Sequence, residues 1–94
     1  MSTDEVRRAV RLTGRVQGVG FRWWTRQTAE QMGVRGTVRN AVDGSVEVRF
    51  AGPADVVDRF LEALRAGPPY ARVDHLEEAA PGGDDLPATF EVVR

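Results

Sequence analysis

The segment Gly14-Arg15-Val16-Gln17-Gly18-Val19-Gly20-Phe21-Arg22 holds the residues of this chain whose types and spacing can do chemistry. Ahead of it Val6 to Leu12 reads as a strand, and behind it Phe21 to Met32 reads as a helix closed by Gly33. A glycine-rich turn in that setting delivers backbone N–H groups to a helix N-terminus, which is the geometry of an anion cradle. Gly18 and Gly20 accept positive φ and, without a Cβ, let a ligand come against the backbone. Arg22 adds a planar, permanently charged fork suited to phosphate oxygens. The chemistry implied is capture of a phosphate or carboxylate.

Two familiar nucleotide loops are excluded. No Gly-Lys-Ser/Thr follows, the chain has no lysine, and Trp23 stands where the third glycine of a dinucleotide fingerprint would fall. On glycine count alone the segment fits an ordinary strand-to-helix turn equally well. Arg22 weighs against that reading. A cation in the first helical turn opposes the helix macrodipole, a placement easier to understand with an anion between the two.

The elements that must hold this loop follow from hydrophobic periodicity. In the first helix Phe21, Trp24, Thr28 with Ala29, and Met32 form one stripe, with Trp23 at its edge. Val34 to Arg39 and Ser45 to Phe50 alternate apolar and polar residues as two half-buried strands, and Asp43-Gly44 between them is a hairpin signal. Gly52-Pro53 opens a second helix with Val56, Val57, Phe60, Leu61 and Leu64 on its apolar face, and Gly67-Pro68-Pro69 stops it. Tyr70 to Glu77 reads as a fourth strand, Pro81 to Asp85 as a polar loop, and Thr89 to Val93 as a terminal edge strand. The expected fold is therefore α+β, a ferredoxin-like β-α-β-β-α-β unit with an antiparallel sheet and both helices on one face.

Composition narrows the class. With 94 residues, 41% of them hydrophobic, residues 1–94 are expected to form one domain around one core. There is no cysteine, which excludes disulfides, thiolate catalysis and cysteine-ligated metals. Every basic residue is arginine, so Schiff-base and lysine-nucleophile chemistry is excluded too. Residues 1–40 hold eight arginines against three acids, whereas residues 41–94 hold five against eleven, so the basic half carries the loop. Met1 to Ala9 is too polar for a signal peptide and no apolar run reaches membrane-spanning length, which leads to an expected cytoplasmic location with no membrane partner.

His75 is the single histidine and has no cysteine beside it, so no metal site is expected. The acidic neighbours Asp4-Glu5, Glu77-Glu78 and Asp84-Asp85 read as solvated charge. Asn40, the only asparagine, fits a turn residue ahead of Asp43-Gly44 when taken alone.

The loop, followed by Gly36-Thr37-Val38-Arg39-Asn40 and Asp43-Gly44-Ser45-Val46-Glu47-Val48, closely resembles the acylphosphatase family. The likeness extends over nearly the whole chain, through Gly67-Pro68-Pro69, Ala71-Arg72-Val73 and Phe90-Glu91-Val92. It implies hydrolysis of the carboxyl–phosphate anhydride of small acyl phosphates, with inorganic phosphate as product or inhibitor and without a cofactor. In the family the arginine ending the loop motif binds the phosphoryl group and the asparagine ending the next strand positions the attacking water. These roles fall on Arg22 and Asn40. The amides of Arg15, Val16, Gln17, Gly18, Val19 and Gly20 are then the phosphate cradle. Thr37 departs from the family pattern, where tryptophan is frequent, at a position outside the catalytic set.

Such a reaction suits these residues. A carboxylate is a good leaving group, so positioning and charge stabilisation suffice: amides and a guanidinium meet the equatorial oxygens, and an asparagine amide both donates to and accepts from a water. Three rivals stay open. An RNA-binding sheet needs exposed aromatics on its central strands and a basic surface, whereas the hairpin strands offer only Phe50 and the net charge is −1, so no nucleic-acid partner is expected. An anion sensor would share the loop without needing Asn40. Kinship with the acylphosphatase-like domain of the larger carbamoyltransferases that mature hydrogenases is the third, and a free-standing monomeric enzyme is the simpler expectation.

Overall fold

The computed structural model describes residues 5–83 and 85–94; Asp4 and Asp84, read above as solvated charge, lie outside the described residues. Seven elements follow one another: β1 (Glu5–Arg15), α1 (Phe21–Met32), β2 (Arg35–Asn40), β3 (Val46–Pro53), α2 (Ala54–Ala66), β4 (Arg72–Ala79) and β5 (Phe90–Val93). They form one sheet of order β4-β1-β3-β2-β5. β3 pairs antiparallel with both β1 and β2, and β4 pairs antiparallel with β1, which is the expected ferredoxin-like arrangement. β5 is an edge strand, as expected, but it joins β2 in parallel, so the five-stranded sheet is mixed. Both helices lie on one face, α1 over β2 and β5 and α2 over β1, β3 and β4, with the helices touching each other.

Strict alternation makes the inner face. Val10, Val48 and Val38 fall in one cross-strand row, and Leu12, Val46 and Asn40 in the next. All but Asn40 are buried. α2 presents Val57, Phe60 and Leu64 to this surface at helical spacing. Phe60 sits edge-on to Phe50 at 4.9 Å and to Phe90 at 5.9 Å, tying α2 to the sheet centre and to β5. Each such aromatic pair is worth about 1 kcal/mol beyond its buried area. In α1 the fully buried line is Phe21, Thr25 and Ala29, with Trp24 and Met32 packed partly against the core. Thr25 was not expected inside. Its hydroxyl donates to Phe21 O at 2.8 Å, so no polar hydrogen is left unpaired by burial.

Element boundaries moved where local chemistry competed with periodicity. β1 runs on through Gly14 to Arg15, passing an irregularity between Thr13 and Gly14. Pro53 ends β3 and occupies the N-cap of α2. Tyr70 stands in a turn closed by Ala71 N–H to Pro68 O at 3.1 Å, because the two prolines favour a turn over an extended ladder. His75 is exposed on β4, and Phe50 is fully buried.

β4 and β5 lie at opposite edges, so the chain between them must cross the sheet. It does so over the face away from the helices, where Arg35 donates to Leu86 O at 2.7 Å and Pro87 O at 3.1 Å. Arg35 also grips Glu5 with two bonds of 2.7 and 2.8 Å, holding the Glu5 carboxyl below the usual carboxylate range. Gly36 is where the strands demand the closest approach: its φ is +150°, and a Cβ there would overlap Arg49 O in β3. Gly36→Ala is expected to destabilise the fold by about 2–3 kcal/mol through backbone displacement, read as a lower denaturant midpoint at unchanged slope.

Candidate active site

Because β1 and β2 are both antiparallel to β3, their C-terminal ends emerge at the same end of the sheet. The loop of residues 16–20 leaves β1 there, the N-terminus of α1 begins there, and Asn40 is the last residue of β2. The alternation that turns Val38 toward the helices turns Asn40 the same way. Tertiary pairing thus brings together two segments that lie some twenty residues apart in the chain.

Between them is a cavity of about 330 Å³. Of the residues expected at the site, Val16, Gly18, Gly20, Arg22 and Asn40 line it. Arg15, Gln17 and Val19 do not. Arg15 is exposed in β1 opposite Arg72, Val19 packs partly against the core, and the Gln17 side chain turns to the β2–β3 turn, donating to Ala41 O and Ser45 O at 2.8 Å each. Four further residues complete the wall: Phe21, Trp23, Arg26 and Val92. Arg26 follows Arg22 by four residues on one helix face, a spacing visible in sequence. Val92 arrives through the parallel pairing of β5 with β2, which no local signal announces.

The loop has the backbone such a site needs. Gly18 and Gly20 both have φ of +75°, Gly20 being the N-cap of α1 without any side-chain cap. A Cβ at either would meet no protein atom within 4 Å, so the space in front of the loop is open and positive φ is what requires glycine. Among the described residues the amides of residues 16–20 donate to no protein acceptor outside strand pairing. Unpaired N–H groups at a helix N-terminus make a positive concavity.

Charge is arranged to match. α1 has no acidic residue in its first turn, and half-buried Arg22 has no hydrogen bond or ion pair among the described residues. Arg26 has Glu30 at 3.5 Å. Asn40 Oδ1 is buried and accepts no hydrogen bond among the described residues. Beyond it the β2–β3 turn is braced: Asp43 accepts from the Ser45 amide at 3.0 Å and hydroxyl at 2.6 Å and contacts Arg11. These bonds, Ser45's first, hold the Asp43 carboxyl below the usual carboxylate range. Among the described residues no three His, Cys, Asp or Glu side chains gather as a metal-holding group, and no helix is long and apolar enough to cross a membrane.

Residues 8–92 match the family model described as Acylphosphatase. The chain is 45% identical over 94 residues to a curated acylphosphatase of Sinorhizobium medicae, covering 100% of both sequences. It is 55% identical over 75 residues to that of Nitrobacter hamburgensis, covering 80% of this chain and 76% of the relative. Among solved structures, an acylphosphatase from Coxiella burnetii superposes with a TM-score of 0.85 at 34% identity, over 95% of this chain and 93% of the other.

Proposed function

This chain belongs to the acylphosphatase family, and from that premise we propose that it cleaves small acyl phosphates with Arg22 and the 16–20 loop amides on the phosphoryl group and Asn40 on the water. It is a hydrolase of acyl phosphates, as its 45–55% identity to curated acylphosphatases supports. The observation that carries the mechanistic reading is the shared cavity: Arg22, Gly18, Gly20 and Asn40 line one space.

Water attacks phosphorus in line with the anhydride oxygen; the new O–P bond forms as the C(O)O–P bond breaks. An acyl phosphate dianion and water give a carboxylate and dihydrogen phosphate, so mass and charge balance without an external acid. Negative charge on the equatorial oxygens meets fixed amides and the unpaired Arg22 guanidinium, which need little rearrangement during the reaction. Asn40 Oδ1, buried and unpartnered, is suited to accept a hydrogen bond from the water and hold its lone pair toward phosphorus. Inorganic phosphate, fitting the same cradle, acts as a competitive inhibitor, and the working species is a monomer.

The acyl group extends toward Trp23, 62% exposed, and Val92, 40% exposed, an apolar wall outside the phosphoryl pocket. An open mouth admits acyl groups of different size. Trp23→Ala is expected to raise KM for benzoyl phosphate about 2- to 10-fold, the worth of one aromatic contact, and to leave acetyl phosphate little changed.

The test is hydrolysis of benzoyl phosphate by the purified chain with inorganic phosphate as competitor. Turnover with competitive inhibition supports the assignment. Phosphate binding without turnover would leave an anion sensor on the same loop, and neither would reduce the segment to a glycine-rich turn.

A further inference from the structure

We propose that the Gln17 side chain is a positioning residue for the attacking water, acting through Asn40; the proposal rests on the acylphosphatase reading above. Gln17 belongs to the loop motif, yet its amide group does not line the cavity. Both Nε2 hydrogens are instead given to the β2–β3 turn, one to Ala41 O and one to Ser45 O, at 2.8 Å each. Those carbonyls are the ones that close the turn, since Ser45 O also accepts from Ala41 N–H at 2.8 Å and Ala41 O from Gly44 N–H at 3.2 Å.

Asn40 and Val46 are register partners, so Ala41 and Ser45 are the next residues beyond that pair. Gln17 therefore grips the turn one residue from Asn40 on one strand and one residue from its partner on the other. On its own side it is anchored by Val16, 1% exposed in the core, and is followed by Gly18 in the cavity wall. Among the described residues no other hydrogen bond joins the 16–20 loop to the β2–β3 turn. The turn is braced by Asp43 with Ser45 and Arg11 and is continuous with the end of β2, so a tether at its base constrains where Asn40 stands. The Asn40 side chain has no bond from Oδ1 to hold it toward the loop. Gln17 is thus what registers the water-holding group against the phosphoryl-holding loop. A shift of about 1 Å in such a pairing can lower a rate about 100-fold.

The closing experiment combines Gln17→Met, Gln17→Ala and Asn40→Ala in a double-mutant cycle on benzoyl phosphate, with the inhibition constant of inorganic phosphate and the melting temperature measured for each. Gln17→Met keeps the length of the side chain, adds no charge and removes the two donors. Both Gln17 variants are expected to lower kcat on the order of 10- to 100-fold and to leave the phosphate inhibition constant within about twofold, because loop amides and Arg22 are untouched. In the Asn40→Ala background the same substitutions are expected to lower kcat by less than about threefold. Additive losses overturn the proposal, and so does a loss of phosphate affinity matching the loss of rate, which would make Gln17 a prop for the cradle alone. A variant that fails to fold is set aside by its melting curve in favour of the other, and failure of both to fold overturns the proposal by making Gln17 a scaffold residue. An active parent with additive losses sinks this inference only; a parent without turnover sinks the functional reading itself and this inference with it.

Discussion

Arg22→Ala is expected to abolish nearly all activity while leaving the fold as stable as before or slightly more so. The guanidinium lies in the first turn of α1, half-buried, with no hydrogen bond or ion pair among the described residues, and faces the open loop. In the proposed reading it meets charge that builds up during phosphoryl transfer, and, since Arg26 beside it has Glu30 at 3.5 Å, its loss should cost at least about 4 kcal/mol in the transition state. That corresponds to a fall in kcat/KM of about 1000-fold, accompanied by weaker inhibition by inorganic phosphate. Lysine at this position should recover only part, because a point charge cannot span two oxygens as the planar fork does. Stability moves the other way. A cation at a helix N-terminus opposes the macrodipole, so the alanine variant should gain roughly 0.3–1 kcal/mol, read as an unchanged or raised melting temperature. Loss of activity through unfolding would contradict this account.

Asn40→Ala is expected to lower kcat about 100- to 1000-fold with phosphate inhibition nearly intact, the range found on removing one oriented group from a transition state. The separation follows from geometry. In the proposed reading the phosphate is held by the loop and α1, whereas Asn40 reaches the cavity from the end of β2. Its Oδ1 is buried without a partner among the described residues, and such an acceptor costs about 1–3 kcal/mol in the folded state. Removing it should therefore leave stability unchanged or improve it. Asn40→Asp should behave differently: a carboxylate beside the cradle repels the phosphoryl group, so the inhibition constant of phosphate rises along with the loss of rate. Equal losses of kcat and phosphate affinity in Asn40→Ala would assign this residue to binding and remove it from the water.

Both variants share a property that follows from the placement of the two groups. Each functional side chain stands where folding alone disfavours it, one cation against a helix dipole and one buried acceptor without a donor. Sites that keep such features gain function at the expense of stability.

The loop was legible in sequence because everything it needs is local. Gly18 and Gly20 supply φ of +75°, a strand precedes and a helix follows, and Arg22 falls in the first turn by counting alone. The alternation in β1, β2 and β3 and the helical spacing of Val57, Phe60 and Leu64 are likewise properties of short windows. From these the order of elements and the ferredoxin-like fold follow. What windows of that length cannot carry is pairing. The direction of β5, the hold of Arg35 on Leu86 and Pro87, and the arrival of Val92 at the cavity depend on which strand edge the rest of the sheet leaves free.

The same division runs through the site. Residue types for holding a phosphate are written into one segment of the chain, since backbone conformation and a guanidinium's charge are intrinsic to those residues. That Asn40 stands across the cavity from Arg22 was decided by the register of β2 on β3 and by both β1 and β2 running against β3. The Gln17 side chain was decided there too: the loop motif concerns its backbone amide and says nothing of where the side chain points, and only the carbonyls of Ala41 and Ser45, brought alongside by the sheet, give it partners. The amino-acid sequence by itself determined what this protein can grip, through local conformation and fixed charge. The tertiary structure decided where Asn40 stands relative to that loop, because relative placement of distant segments is set by long-range pairing and burial.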